Sequence, residues 1–235
     1  MKTTFPRLML EHAKSRPTAA ALRVKEFGIW QTTTWAGLAE LVRDLACGLA
    51  EAGLGRDDHM VVVGENRPRL YAAMLAAQSL GAVPIPLYQD AVAAEFAFPI
   101  NNANVAFAIV EDQEQVDKLL ELREQCPKLG RIWYDDARGL RNYAQPGLAP
   151  LDALIESGRA YAKAHPDFFD AEVAKVSPDD VAALFFTSGT TGHPKGVVHS
   201  HFTLLDRAKA GADFDKLGPD EEVLAHARRR QCTGV

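Results

Sequence analysis

The chain has 235 residues, of which 47% are apolar and 24% charged, a composition that is ordinary for a globular protein and excludes disorder, collagen and coiled coil. The net charge is −5 and no basic face dominates, so a nucleic-acid partner is not expected. The longest apolar run is the eight residues 70–77, whereas a spanning helix needs about 20, so no transmembrane segment is expected. The N-terminus lacks an apolar h-region, and no signal peptide is expected.

The three cysteines are odd in number and widely spaced, at Cys47, Cys126 and Cys232. Their spacing fits neither a disulfide framework nor a zinc site. A reducing cytoplasm is therefore the expected location. Cys47 lies within a helical pattern and is predicted to be a small core residue.

Helical and strand-like patterns alternate along the chain. Helices are predicted at 35–52, 67–80, 92–102, 112–125 and 151–164, strands at 59–64, 82–88, 105–110, 131–135 and 179–187, and a loop at 136–150. Thr34 and Asn66 are predicted to cap the first two helices. Pro84 and Pro86 predict an edge or irregular strand, and Pro99 a kinked or shortened helix. This order predicts an α/β fold, a parallel sheet flanked by helices.

The segment at positions 187–198, TSGTTGHPKGVV, contains residue types that are suited to bind a ligand. Its glycines allow a tight turn, and successive backbone N–H groups in such a turn bind an anion. Together with the hydroxyl groups and the lysine of the same segment, these N–H groups are suited to bind a polyphosphate. The predicted contacts are Thr187, Ser188, Gly189, Thr190, Thr191, Gly192 and Lys195. The loop is not a Walker A motif, because Pro194 precedes Lys195 and Gly196 follows it. The alternative is a surface loop without a ligand.

The same string resembles the phosphate loop of the adenylate-forming superfamily, which includes acyl-CoA synthetases, luciferases and peptide-synthetase adenylation domains. The resemblance covers about residues 10–225 and includes residues 34–38, 64–66, 81–87 and 199–201. Position 37 departs from it, with a glycine where the family usually has an acid. Residues 86–88, 110–115 and 134–140 resemble long-chain fatty acyl-CoA synthetases.

The resemblance implies a two-step ligase. A carboxylate, here a fatty acid, attacks the α-phosphate of Mg·ATP to give an acyl-adenylate and pyrophosphate, and coenzyme A then displaces AMP. ATP, Mg²⁺ and coenzyme A are thus implied, with the loop holding the β- and γ-phosphates. His201 is implied to lie near the substrate channel; a capping or surface histidine is the alternative. No catalytic residue is assigned.

The family's later motifs, for adenine, ribose and the closing lysine, have no match in this chain. The chain is therefore interpreted as an inactive N-terminal fragment, with an α/β subdomain at 1–177, the start of a second, incomplete subdomain at 178–225, and an aberrant tail at 226–235. The alternatives are a non-catalytic phosphate-binding remnant and a pseudogene product.

Other candidate sites carry less weight. The cluster of His193, His199 and His201 has no cysteine nearby and only one close acid, Asp206, whereas zinc sites draw on three or four such ligands, so no metal site is predicted. Asp135 and Asp136 are adjacent at a strand end and point to opposite faces, which disfavours joint acid–base chemistry. The acids at 111, 112 and 114 are interpreted as a helix start.

Two expectations concern association and the tail. The strand ending at Thr187 is expected to lack partners, exposing Val181, Leu184, Phe185 and Phe186 on an edge that favours self-association. The tail contains three consecutive arginines and no acid. Since a strand is expected after Leu224, the tail is interpreted as out of frame, with a natural basic terminus as the alternative.

Overall fold

The computed structural model describes residues 2–187, 194–218 and 221–224. At its centre lies a five-stranded parallel sheet of β3 (His59–Val63), β4 (Val83–Leu87), β5 (Phe107–Val110), β6 (Arg131–Tyr134) and β7 (Leu148–Pro150). The order of the strands in this sheet is β4-β3-β5-β6-β7. The predicted α/β class is confirmed. The proline-containing strand β4 ends this sheet, as Pro84 and Pro86 predict.

Helices cover both faces of the sheet. They are α2 (Trp35–Glu51), α3 (Pro68–Ser79), α4 (Ala93–Asn102), α5 (Gln113–Glu121), α6 (Leu151–Ala164) and α7 (Phe168–Lys175). Side chains of β3 alternate between two cores: Met60 and Val62 pack with α2, α3 and α6, while Val61 and Val63 pack with α4 and α5. This two-sided burial explains why the strand has an unbroken apolar sequence.

Side-chain caps form at four of the eight helix starts in the described residues. Thr34 accepts a hydrogen bond from the N–H of Gly37 at 3.1 Å, which confirms the predicted cap of α2. The predicted cap at Asn66 is wrong, because α3 begins after Arg67, which makes no side-chain cap. The helix α4 contains Pro99 and continues to Asn102. The strand β7 and the helix α7 lie in segments for which neither was predicted.

The N-terminal elements before α2 were also not predicted. They are α1 (Phe5–Ser15) and an antiparallel hairpin of β1 (Ala20–Glu26) and β2 (Ile29–Thr34). The hairpin turns at Phe27 and Gly28, both with positive φ. In β1 the half-buried Leu22 and Val24 alternate with the exposed Arg23 and Lys25, a strand signal confined to four residues. No side chain of β2 is buried.

Three elements follow the sheet: β8 (Val181–Thr187), β9 (Lys195–Ser200) and α8 (His201–Phe214). The expectation that β8 lacks a partner is wrong, since β9 pairs with it along its length. Leu184 is buried, and Phe186 packs against the same core. The tail at 226–235, with Cys232, lies outside the described residues. No helix in the described ranges combines the length and apolar character needed to span a bilayer.

Candidate functional site

The candidate phosphate loop joins the two strands of the β8–β9 hairpin. The register pairs Phe186 with Gly196 and ends with Thr187 opposite Lys195. Thr187 and Lys195 therefore stand at the two ends of the loop. The predicted contacts Ser188, Gly189, Thr190, Thr191 and Gly192 lie outside the described residues. Lys195 and Gly196 belong to a strand, so the segment after the loop is extended, unlike the helix that follows a Walker A loop.

Contacts with α3, α4 and β9 hold strand β8 in place. Gln78 of α3 donates its Nε2 hydrogen to the carbonyl oxygen of Ala182 at 2.8 Å. The ring of Phe186 meets Phe98 edge to face, with centroids 6.3 Å apart. On β9, His199 packs against Phe185 at 5.6 Å. The loop thus starts and ends on a packed hairpin.

The loop ends offer a hydroxyl and a cation to solvent. Thr187 Oγ1 donates to the carbonyl oxygen of Lys195 at 3.4 Å, which closes the hairpin. Both residues are exposed, and within the described part of the chain no ion pair involves Lys195. An ammonium and a hydroxyl at the mouth of a loop suit a phosphate.

Helix α8 begins directly after the hairpin, and its first residue is buried. Ser200 accepts from the N–H of Thr203 at 3.2 Å and caps the helix. The His201 ring is 1% exposed, and its Nδ1 accepts from the backbone N–H of Phe5 at 3.3 Å. Burial lowers the pKa of His201 to about 4, with Arg7 acting in the same direction and Asp180 against it. The ring is therefore neutral at pH 7.

The contact between His201 and Phe5 joins α8 to α1. Sequence reasoning missed this contact because α1 itself was not predicted, and no local signal links residues 196 positions apart. The place of His201 in a substrate channel stays a prediction; its ring does not line the cavity described below.

The segment at the predicted subdomain boundary is tied to the first subdomain. Arg56 pairs with Asp180 at 2.8 Å and donates to the carbonyl oxygen of Lys175 at 3.2 Å. The Asp180 carboxylate also accepts from the N–H of Ser177 at 3.0 Å. Although burial acts to raise it, the pKa of Asp180 is held below its ordinary value by these hydrogen bonds.

Carboxylates gather where β5 and β6 end, and each has its own partner. Glu111 accepts from Arg67 Nε at 2.7 Å and from the N–H of Glu65 at 2.6 Å. Glu111 therefore links the end of β5 to the segment that follows β3. Its interpretation as part of a helix start did not include this role. Asp112 does cap α5.

The adjacent acids Asp135 and Asp136 have separate partners. Asp135 pairs with Arg69 at 2.8 Å, whereas Asp136 pairs with Arg138. Burial raises the pKa of Asp135, and Arg69 opposes that rise. Because each carboxylate has a separate cation, the pair is structural. Over the described ranges, no three His, Cys, Asp or Glu side chains are grouped to hold a metal ion.

A cavity of about 580 Å³ lies beside β8, between it and the elements α1, α3 and β4. Its walls are mostly apolar side chains. Among the described residues that line it are Phe5, Leu22, Met74, Leu75, Pro86, Ala183 and Phe185. The cavity is therefore next to the strand that leads into the loop.

Comparisons with known proteins identify a family. A family model described as AMP-binding enzyme matches residues 9–229. The long-chain-fatty-acid–CoA ligase FadD15 of Mycobacterium tuberculosis is 27% identical over 207 residues, covering 88% of this chain and 33% of that protein. The ligase ACSBG1 of Bos taurus is 24% identical, covering 86% and 27%. The chain spans about a third of the length of these curated relatives.

Solved structures agree on the fold. Acetoacetyl-CoA synthetase from Streptomyces lividans matches with a TM-score of 0.73 at 23% identity, covering 93% of this chain and 33% of that one. The N-terminal domain of FACL13 from Mycobacterium tuberculosis matches with a TM-score of 0.69 at 23% identity, covering 91% and 48%.

Proposed function

Because this chain belongs to the AMP-binding enzyme family, we propose that it forms part of an AMP-forming ligase that joins a fatty acid to coenzyme A at the expense of ATP. Relatives named long-chain-fatty-acid–CoA ligases support the choice of acid. The acid would attack the α-phosphate and release pyrophosphate, and the thiol of coenzyme A would then displace AMP. The proposed location is the cytoplasm.

In this proposal the loop from Thr187 to Lys195 holds the β- and γ-phosphates of ATP. The observation that carries the proposal is the hairpin register, which sets the hydroxyl of Thr187 and the ammonium of Lys195 at the two ends of one glycine-rich loop. The residues Ser188, Gly189, Thr190, Thr191 and Gly192 would add backbone N–H groups and hydroxyls. Preorganised donors of this kind stabilise the charge that develops on phosphate oxygens.

Magnesium and coenzyme A enter this scheme as substrates. The Mg²⁺ ion would arrive bound to the phosphates of ATP. Its chemistry is to neutralise charge on the phosphate oxygens. The residues of this chain would orient those phosphates and supply hydrogen bonds.

Titration calorimetry with pyrophosphate tests the role of Lys195. Lys195→Ala should weaken binding by about 1.5–3 kcal/mol, or roughly 10- to 150-fold, because a charge-assisted hydrogen bond is lost. The matched control is Lys209→Ala, which removes an exposed lysine paired with Asp213 on α8 and should leave the affinity unchanged. Equal affinities of the wild type and Lys195→Ala would show that the loop is not the site.

A second assay separates binding from catalysis. We propose that the 235-residue chain alone binds nucleotide without forming acyl-CoA, and its 33% share of the length of FadD15 supports this. Pyrophosphate release with ATP and a panel of fatty acids should then stay at background. Acid-dependent release by the pure chain would contradict this proposal and favour a self-sufficient ligase.

A further inference from the structure

The hairpin of β1 and β2 ends in an arm that the rest of the described chain does not cover. Near its base, Leu22 lines the cavity beside β8, but every residue from 25 to 32 is exposed. The strands stay paired up to Glu26 and Ile29, next to the two-residue turn. At about 3.3 Å per residue, this exposed part is roughly 10 Å long.

The end of the arm is apolar. Phe27 is 98% exposed, Ile29 65% and Trp30 56%, and these three side chains are called the hairpin tip below. A single exposed apolar residue is ordinary, whereas several together mark an interaction site.

The turn gives an independent reason to assign a role to Phe27. Phe27 and Gly28 have φ values of 48° and 80°, and two-residue hairpin turns with positive φ favour Asn-Gly or Asp-Gly. A bulky side chain is disfavoured in this backbone conformation. Because the Phe27 ring is almost wholly exposed, packing within the described chain does not offset that cost. A contact outside the chain would explain why a phenylalanine stands here.

The arrangement of the hairpin tip favours a fluid apolar medium over a protein surface. Ile29 and Trp30 are neighbours on β2 and therefore point to opposite faces of the hairpin, while Phe27 lies at the turn. A protein surface, including that of a second copy, would cover one face of the arm. The interface of a bilayer surrounds an inserted turn on all sides.

The charges of the arm agree with a membrane interface and do not select anionic lipids. Lys25 lies opposite Trp30, with its Nζ 6.0 Å from the centroid of the indole ring. Tryptophan is enriched at the level of the head groups, and a lysine can extend its ammonium to the same level. Lys25 and Glu26 are the charged residues of the segment 25–32, so its net charge is zero.

We propose that the hairpin tip binds a lipid bilayer, with Phe27, Ile29 and Trp30 entering the boundary between head groups and acyl chains. The contact is peripheral, since the arm is much shorter than a hydrocarbon core of about 30 Å. The proposal is independent of the proposed ligase activity, because it rests on the hairpin alone.

Flotation of the full chain with phosphatidylcholine vesicles tests the proposal. The bound fraction should rise saturably with lipid and change little from low to high salt, because apolar burial drives the insertion. Phe27→Asn should weaken binding about tenfold or more, and it suits the positive φ, so the hairpin is kept. The matched control Phe214→Asn, at a ring on α8 that is 87% exposed, should bind like the wild type.

Fluorescence of the wild type gives a second readout. Phosphatidylcholine with brominated acyl chains should quench part of the tryptophan emission. In Trp30→Thr, which keeps a good strand former, that quenched part should be lost, because Trp35 and Trp133 lie away from the hairpin tip.

Four results would overturn the proposal. They are no binding to phosphatidylcholine vesicles, binding that needs anionic lipid and is abolished by salt, equal binding by folded Phe27→Asn, and quenching that persists in Trp30→Thr. Sedimentation without lipid adds a fifth: self-association that Phe27→Asn removes would assign the hairpin tip to a second copy of the chain.

Discussion

The packing of α6 on α2 depends on glycines at the crossing point. A Cβ added at Gly158 would lie 1.7 Å from the carbonyl oxygen of Asp44 and 2.6 Å from the backbone nitrogen of Gly48. Both atoms belong to the backbone of α2, so no side-chain rotation relieves the clash. Gly158→Ala therefore forces the two helices apart, at the contact where Asp44 pairs with Arg159.

The magnitude follows from two opposing effects. Overpacking in a well-packed interior costs about 1–3 kcal/mol, and a clash with backbone atoms belongs at the upper end. Alanine gains about 1 kcal/mol over glycine in a helix interior. The net loss is about 2 kcal/mol of unfolding free energy, which for a chain of this size lowers Tm by about 4–8 °C.

Gly211→Ala is the matched control. Gly211 lies inside α8, and a Cβ there would meet nothing within 4 Å, so only the gain in helix propensity remains. Urea unfolding followed by circular dichroism should show Gly158→Ala destabilised and Gly211→Ala stabilised by up to about 1 kcal/mol. Stabilisation by both alanines would refute the close approach of α2 and α6.

The remaining predictions concern acid stability, thiol reactivity and association. Because the folded pKa of His201 is about 4, against an ordinary value of 6.5, the unfolded chain takes up the proton first; stability should fall by up to about 1.4 kcal/mol per pH unit between pH 6.5 and 4. His201→Asn, which keeps an acceptor, should flatten that slope in pH-dependent urea unfolding, and an unchanged slope would exclude His201 as its source. Cys47 and Cys126 are buried, and burial raises the pKa of Cys47 to about 11, so in a Cys232→Ser variant they should react with a thiol reagent only after denaturation; rapid native labelling would contradict their burial. Within the described residues β9 pairs only with β8, and its Val198 is 62% exposed, so sedimentation velocity should detect self-association through this outer edge as concentration rises, and a monomer throughout would rule it out.

Much of the fold was predictable because its signals are local. The helix at 35–52 and its cap at Thr34 follow from periodicity and one hydroxyl, and the prolines of β4 already exclude a central strand. Elements with a weak or misleading local signal were not predicted correctly. The alternation in β1 is only four residues long, from Leu22 to Lys25, and β2 has no buried side chain, so the hairpin leaves a weak signal. Asn66 has the chemistry of a cap, but its side-chain oxygen accepts from the hydroxyl of Tyr71 instead.

For the site, the sequence by itself determined the residue types: the glycines, hydroxyls and lysine that suit a phosphate are visible as a string. Only the tertiary structure decided that Thr187 faces Lys195 across a hairpin, that His201 is buried against Phe5, and that Gln78 donates to the backbone of β8. Each of these facts depends on which distant backbone or side chain arrives beside a residue. Periodicity and capping act over one or two turns and carry no information about such partners.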